Sequence, residues 1–146
     1  MNSSSKLPER PVFFVDRSLG KNIIAQALRE AGCAVEVHDG HFAQDAPDEE
    51  WLQRVGMNGW VVLTKDKNIR FHELEKLALL ASKVRAFVLT AHDVTGPEMA
   101  EIFVGALPRI LKVLRKHPGP FLARVSRHGH VELLEIRVGH KAKKRR

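Results

Sequence analysis

Apolar positions along the chain alternate between the spacing of buried strands and the spacing of helices. Residues 12–16, VFFVD, form a short continuous apolar run, which predicts a strand covered on both faces. Over 19–31 the apolar residues recur at helical spacing, and Gly32 ends that predicted helix. Alternating residues at 34–38 predict a second strand. The chain therefore begins as strand, helix, strand.

The same alternation continues through the remainder of the chain. Thr95 and Glu98 form a capping-box pattern at the start of a long apolar stripe, inside which Pro108 is expected to produce a kink. Repeated strand–helix alternation predicts an α/β fold with a mainly parallel sheet and helices on both faces. The further predicted helices cover 48–57, 68–82 and the stretch after Thr95, and the further predicted strands cover 59–66, 86–90, 121–126 and 131–136.

Length and composition predict one domain with two short extensions. Residues 1–11 are expected to form a flexible lead-in, 12–136 the folded domain and 137–146 a basic tail. The longest apolar runs are much shorter than the ~20 residues of a membrane span. A single cysteine, Cys33, cannot form an internal disulfide, which favours a reducing, cytoplasmic location.

The net charge of +7 is distributed unevenly. Residues 1–108 carry 12 Lys/Arg and 15 Asp/Glu, whereas 109–146 carry 12 Lys/Arg and two Glu. A basic surface beside an acidic, cation-binding site is what a polyphosphate substrate requires. The tail at 137–146 is equally well explained as a solubilising extension. The better candidates for substrate binding lie inside the predicted fold: Arg109, Lys112, Arg115, Lys116, Arg124 and Arg127.

Aspartates stand at or just after the ends of three predicted strands. Asp16 ends the first strand, Asp66 ends the third, and Asp93 follows the fourth. Since parallel strands end at one edge of a sheet, these carboxylates are expected to lie near one another. A divalent cation would relieve their repulsion, and hard oxygen ligands suit Mg²⁺ or Mn²⁺ better than Zn²⁺. Turn and cap chemistry is the alternative for each aspartate, and it fully explains Asp93 together with Thr95.

A second acidic group, Asp48, Glu49 and Glu50, begins a predicted helix. The helix dipole favours negative charge at this position and by itself would account for all three residues. Asp48 differs from the other two because Trp51 and Leu52, three and four positions later, are both apolar. Asp48 is therefore predicted to face the sheet and to be a metal ligand.

Cations accompany the predicted acidic site. Arg17 follows Asp16, and Lys65 and Lys67 flank Asp66. Such neighbours lower carboxylate pKa values and can contact substrate phosphates or the charge that develops in a transition state. Surface charge balance is the simpler alternative. The histidine pairs at 38 and 41 and at 128 and 130 lack further ligands for a zinc site, and solvated loop histidines are the favoured interpretation.

Once Asp16, Asp48 and Asp66 are considered together, the chain resembles the PIN-like domains, especially the compact group related to VapC-type toxins. The segments that carry the resemblance are FFVDRSLG, DEEW, GWVVLTKDK and PGPFLARV. The resemblance extends over about residues 12–135. It implies an α/β/α sandwich, a ribonuclease that uses one or two Mg²⁺ or Mn²⁺ ions, and a type II toxin restrained by a protein antitoxin. A homodimer is compatible with it. The family usually gathers four acids, and the fourth here would be Glu49, Glu50 or Asp93.

Two other functions are alternatives to the nuclease. A phospho-acceptor signalling domain also has Asp after its first and third strands and Thr after its fourth, here Asp16, Asp66 and Thr90. It should have an acidic pair after the first strand and a Lys after the fifth, and this chain has neither. The other alternative is a catalytically inactive RNA-binding module, which would keep its affinity for RNA in EDTA.

Overall fold

A computed structural model of the chain describes residues 10–20, 22–43, 46–65 and 81–134. Within these residues six strands form one sheet in the order β2-β1-β3-β4-β5-β6. Strands β1 to β5 run parallel, and β6 is antiparallel to β5. This confirms the predicted mainly parallel sheet. The strands are β1 Val12–Val15, β2 Ala34–Val37, β3 Val61–Thr64, β4 Arg85–Leu89, β5 Phe121–Val125 and β6 Val131–Leu134.

Three α-helices lie within the described residues. They are α1 Ile23–Glu30, α2 Asp48–Asn58 and α3 Gly96–Lys116. The capping box predicted for α3 is present, because the Thr95 hydroxyl accepts the Glu98 amide and the Glu98 carboxylate accepts the Thr95 amide. The helix continues through Pro108 to Lys116. The predicted helix over 68–82 lies almost entirely outside the described residues.

Side chains on the two faces of the sheet form two separate cores. On one face Phe13 belongs to the same buried cluster as Phe103 of α3, and α1 and α3 pack against each other there. On the other face Phe14 stacks on Trp51 of α2, with ring centroids 5.5 Å apart. Neighbouring residues of β1 thus face opposite layers, as the pleat of a strand requires. The arrangement is the predicted three-layer α/β/α sandwich.

Two boundaries differ from the prediction because glycines stand between the elements. The helix expected from residue 19 begins at Ile23, after a 3-10 turn at Arg17–Leu19 that Gly20 ends with a φ of 82°. The strand expected from residue 59 begins at Val61, because Gly59 caps α2 in the left-handed region at a φ of 71°. Glycine adopts this conformation without steric cost, so both predicted elements are shortened.

The sheet has two edges with different roles. We call the edge where β1 to β5 end the carboxyl edge, and the edge where they begin the amino edge. Helix α3 starts at the carboxyl edge after β4 and returns the chain to the amino edge before β5. Its 21 residues extend about 30 Å. The first turn of α3 is therefore close to the strand ends, whereas its last turns are remote from them.

Candidate active site

Asp16 is a buried carboxylate at the carboxyl edge. It follows β1 directly, and only 4% of its surface is exposed. Its backbone amide donates to the carbonyl of Leu63 on β3 at 3.0 Å, which ties the residue to the neighbouring strand. Its side chain caps the 3-10 turn at Arg17–Leu19. The position of Asp16 is therefore set by the sheet on one side and by the turn on the other.

Two hydroxyl groups hold the Asp16 carboxylate. Ser18 Oγ donates to Oδ2 at 2.6 Å, and Thr64 Oγ1 donates to the same oxygen at 2.7 Å. The two hydroxyl oxygens are 3.1 Å apart, and Ser18 Oγ also accepts the Lys65 amide at 3.1 Å. All the hydrogen bonds that the Asp16 side chain accepts from the described residues are to Oδ2, which leaves the lone pairs of Oδ1 for another partner. The short network orients one carboxylate oxygen and ties β1 to the end of β3.

Ser18 and Thr64 reach the Asp16 carboxylate from different parts of the fold. Thr64 is fully buried, and its hydroxyl reaches Asp16 across the gap between two adjacent strands. Ser18 contacts Asp16 within a local turn, where its amide also donates to Oδ2 at 3.3 Å. An aspartate two residues before a serine is a common turn pattern, and that signal was available in the sequence.

The oxygen chemistry of Asp16 suits a hard divalent cation. Within the described residues, no three His, Cys, Asp or Glu side chains lie close enough to hold a metal ion. Asp66 and Lys67 lie outside the described residues, as do the side chains of Asp48 and Glu49. Residue 48 begins α2, which follows β2 and therefore starts at the carboxyl edge. The structure thus supplies one oriented carboxylate and the position of a second acidic residue.

Two other acids proposed as a fourth ligand are exposed to solvent. Glu50 lies in the first turn of α2, and Asp93 lies in the loop after β4. Asp93 has a φ of 55°, a left-handed conformation that Asp and Asn adopt more easily than other side chains. That conformation gives Asp93 a structural role in the turn, independent of any metal.

Comparison with known proteins identifies the family. Residues 11–91 match the family described as PIN like domain. The chain belongs to the PIN-like domain family. The chain is also similar to the protein named "Putative ribonuclease VapC45" of Mycobacterium tuberculosis (strain ATCC 25618 / H37Rv). The two are 33% identical over 116 aligned residues, and the alignment covers 77% of this chain and 83% of that protein. No solved structure matches this chain. The resemblance found in the sequence is confirmed.

The matched region of this PIN-like domain contains Asp16, Asp48 and Asp66, together with the cations beside them. Arg17 is exposed next to Asp16, and Lys65 follows Thr64, its amide bound to Ser18. Helix α3 and strands β5 and β6 lie outside the matched region. The predicted metal ligands and the predicted basic cluster therefore fall in different parts of the PIN-like domain.

The basic cluster proposed from sequence is divided by the structure into three parts. Arg127, in the loop after β5 at the carboxyl edge, donates to the carbonyl of His92 at 2.7 Å. Arg124 of β5 forms an ion pair with Glu132 of β6 at 2.6 Å, so its charge is compensated. The remaining four members lie on the second half of α3, towards the amino edge, and all are exposed: Arg109, Lys112, Arg115 and Lys116.

The expectation that the paired histidines are solvated loop residues is wrong for His38. Only 1% of its surface is exposed, and its ring packs against Phe14, Phe42 and Trp51 at centroid distances of 6.1, 5.4 and 6.0 Å. His38 follows β2, and strand alternation directs its side chain into the core beside α2. His41 is partly exposed, and its Nε2 lies 2.8 Å from Glu36 Oε1.

The surroundings of the single cysteine do not favour a nucleophilic thiolate. Cys33 is partly buried just before β2. Burial raises the pKa of its thiol, and the charge of nearby Arg10 only partly opposes that effect. A thiol with a raised pKa is mainly protonated at neutral pH and is a poor nucleophile.

Proposed function

We propose that this PIN-like domain is a metal-dependent endoribonuclease and the toxin of a type II toxin–antitoxin pair. The observation that carries the proposal is the buried Asp16 carboxylate, held by Ser18 and Thr64 at the carboxyl edge. Strand ends of this kind are where open α/β sheets place their chemistry. The name of the mycobacterial relative supports RNA as the substrate.

The proposed ligand set consists of Asp16, Asp48 and Asp66, with Glu49, Glu50 or Asp93 as a fourth acid, and it would hold one or two Mg²⁺ or Mn²⁺ ions. A bound ion of this type supplies an activated water and neutralises charge on the phosphate. The contribution of the chain itself is to present Asp16 in one orientation. Because Ser18 and Thr64 saturate Oδ2, Oδ1 is the atom available to a cation.

Cations at the carboxyl edge would position the RNA. Arg17 is exposed beside Asp16, and Arg127 is anchored to the loop after β4 through His92. Guanidinium groups bind phosphate oxygens through paired N–H donors, so both arginines suit a phosphodiester. Lys65 and Lys67 would add positive charge next to Asp66.

The proposed partners and location follow from the toxin assignment. A protein antitoxin would restrain the enzyme, a homodimer is compatible with the family, and the cytoplasm is the proposed location. In the described part of the chain, no helix is both long and apolar enough to cross a membrane. Growth arrest on expression, relieved by co-expression of a neighbouring small gene product, would test the toxin role.

One structural observation is also compatible with the phospho-acceptor alternative. The order β2-β1-β3-β4-β5 is also the strand order of flavodoxin-like signalling domains. Strand order alone therefore does not separate the two functions. The sequence supports the nuclease, because Arg17 replaces the second acid of the expected pair and the matched family is PIN-like. Stable phosphorylation of an aspartate by a small phosphodonor, without RNA cleavage, would favour the alternative.

The decisive test compares RNA cleavage by the wild-type chain and by Asp16→Asn. With Mn²⁺ or Mg²⁺ we expect the wild type to cleave and the variant to lose about 100-fold or more in kcat/KM, since the amide removes a charged ligand. Excess EDTA should abolish cleavage by the wild type. Cleavage should be followed on a fluorescently labelled single-stranded RNA.

A matched control for this test is Glu30→Gln. Glu30 is an exposed carboxylate at the end of α1, where it accepts from Gln26 at 3.2 Å, and α1 ends towards the amino edge. Its neutralisation should leave cleavage within about twofold of the wild type, as is usual for a surface change far from a site. Wild-type cleavage rates in Asp16→Asn would refute the site assignment, and RNA binding without cleavage would identify an inactive binding module.

A further inference from the structure

A second concave site lies at the amino edge, opposite Asp16. This amino-edge cavity has a volume of about 490 Å³, and its lining includes Arg10, Trp60, Arg85, Leu111, Leu114 and Arg115. These residues come from the chain before β1, the start of β3, the start of β4 and the end of α3. A volume of this size falls within the range of small-molecule sites. The cavity is separated from Asp16 by the length of β1, about 13 Å.

Two of the three arginines in the amino-edge cavity are held in place. The Arg10 guanidinium donates to the carbonyl of Gly32. The Arg85 guanidinium donates to the carbonyl of Gly59 at 3.3 Å. The Arg85 stem passes so close to Gly119 that a Cβ at residue 119 would lie 2.6 Å from Arg85 Cγ. Such restraint lowers the entropy that each side chain loses when it binds a ligand.

The charge in the amino-edge cavity is of one sign. The described lining residues include three arginines and no acid. The positive charge continues on α3, where the exposed side chains of Arg109, Lys112 and Lys116 precede and follow Arg115. Residues three and four apart on a helix are neighbours, so Arg109, Lys112 and Lys116 form a row of cations, and Lys112 adjoins Arg115 in the cavity lining. A ligand with regularly repeated negative charge matches this row.

The rest of the lining is aromatic and aliphatic. Trp60 is partly exposed; its ring stacks on Phe14 with an interplanar angle of 15°, and the His41 ring also contacts it at a centroid distance of 5.1 Å. Leu111 and Leu114 contribute apolar surface from α3. Bases of single-stranded RNA bind to aromatic rings and to the planes of arginine side chains, whereas their phosphates bind to guanidinium groups. The lining of the amino-edge cavity includes residues of both kinds.

We propose that the amino-edge cavity binds a nucleotide of single-stranded RNA at a distance from the site of cleavage. The proposal rests on the proposed function only in taking RNA as the ligand. An acidic peptide is the rival ligand, but it carries no base to stack on the aromatic part of the lining. A continuous row of cations is better matched by a phosphodiester backbone. The cavity would strengthen the binding of RNA long enough to reach both edges and would take no part in the chemistry.

Direct binding in EDTA tests this site apart from catalysis. Asp16→Asn protein should be titrated with single-stranded RNA of about 16 nucleotides and of about 4 nucleotides, lengths that span the usual range of site sizes. We expect the longer RNA to bind at least tenfold more tightly and to change the fluorescence of Trp60. Trp51 is buried in the core, so the change should disappear in Trp60→Phe.

Neutralising the cavity arginines should alter the salt dependence of binding. Each phosphate contact with single-stranded RNA contributes about 0.7 to the slope of log affinity against log salt, so Arg85→Gln with Arg115→Gln should reduce that slope by about 1.4. Arg115 is exposed, so Arg115→Gln alone is safe for folding and should give about half of this change. Arg115→Lys should retain most of the wild-type slope, because the positive charge is kept.

The matched control is Arg54→Gln, which removes an exposed cation of α2 that lies over the Phe42 ring, outside the lining of the amino-edge cavity. It should change the slope by much less than Arg115→Gln. In the active enzyme, Arg115→Gln should raise KM for the long RNA more than it lowers kcat. An unchanged slope in the double variant, or tighter binding of a polyglutamate peptide than of RNA, would overturn the proposal. Cavity binding would survive even if Asp16→Asn proved fully active, so the two proposals fail separately.

Discussion

Asp16 illustrates how much of a candidate site depends on single hydrogen bonds. Its Oδ2 accepts from two hydroxyl groups, one from the local turn and one from the adjacent strand β3. Partners of this kind orient a ligand, and their loss commonly weakens metal affinity or activity by about 10- to 100-fold. Substitution of Ser18 or Thr64 therefore tests the candidate site, as substitution of Asp16 does.

Removal of either hydroxyl should weaken metal binding without abolishing cleavage. In Ser18→Ala and in Thr64→Val, the Mn²⁺ concentration required for half-maximal cleavage should rise by about tenfold, because Oδ2 loses a donor. Thr90→Val is the matched control, since its hydroxyl donates at 3.3 Å to the carbonyl of Val125 and not to Asp16. Equal effects of the three substitutions would argue against a specific role for the network.

At the scale of elements, the start of α3 is the best-defined local structure. Both bonds of the capping box are present between Thr95 and Glu98. Hydrogen bonds from the backbone amide and from the side chain of Thr95 lower the pKa of the Glu98 carboxyl below its ordinary value of 4.5. A lowered pKa in the folded state means that the ionised form contributes stability. That contribution is complete above the pKa of the unfolded chain and is lost as the pH falls through the folded pKa.

The capping box should therefore make folding stability depend on pH. Glu98→Gln should be less stable than the wild type at pH 7, and the difference should disappear once the pH is below the lowered pKa of Glu98. Chemical denaturation at several pH values measures this difference. Glu101→Gln on the same helix is the control, because Glu101 is exposed and has no capping role. A difference that persists unchanged in acid would contradict the proposed ionic contribution.

At the scale of the whole molecule, the sheet separates two charged regions. The carboxyl edge carries Asp16 and the start of α2, whereas the amino edge carries the arginine-lined cavity and the last turns of α3. The negative and positive halves found in the sequence are thus not adjacent patches. An RNA that contacts both would have to follow the surface of the domain from one edge to the other.

Metal binding at the carboxyl edge should stabilise the whole fold. At a Mn²⁺ concentration about 100 times the dissociation constant, mass action adds about 2.7 kcal/mol to the free energy of unfolding. This should raise the Tm of the wild-type chain by several degrees relative to the same protein in EDTA, roughly 4 °C or more. Asp16→Asn should show little or no increase. An equal rise in both proteins would place the ion elsewhere.

The sequence alone was sufficient for the order and type of the described elements, the parallel sheet and the family. These properties depend on local periodicity and on short motifs, which are readable along the chain. The carboxylate at the end of β1 was predictable for the same reason. The first helix and the third strand were predicted too long, because Gly20 and Gly59 adopt left-handed conformations that apolar spacing does not reveal.

Only the tertiary structure decided which side chains meet. The contact of Thr64 with Asp16 joins residues on two strands, and the burial of His38 depends on aromatic rings from β1 and α2. The charge pattern had suggested one basic surface beside the acids. The path of α3 instead carries four of the cations to the amino edge, and Glu132 compensates a fifth. Distance in space follows from packing, and no local pattern in the chain encodes it.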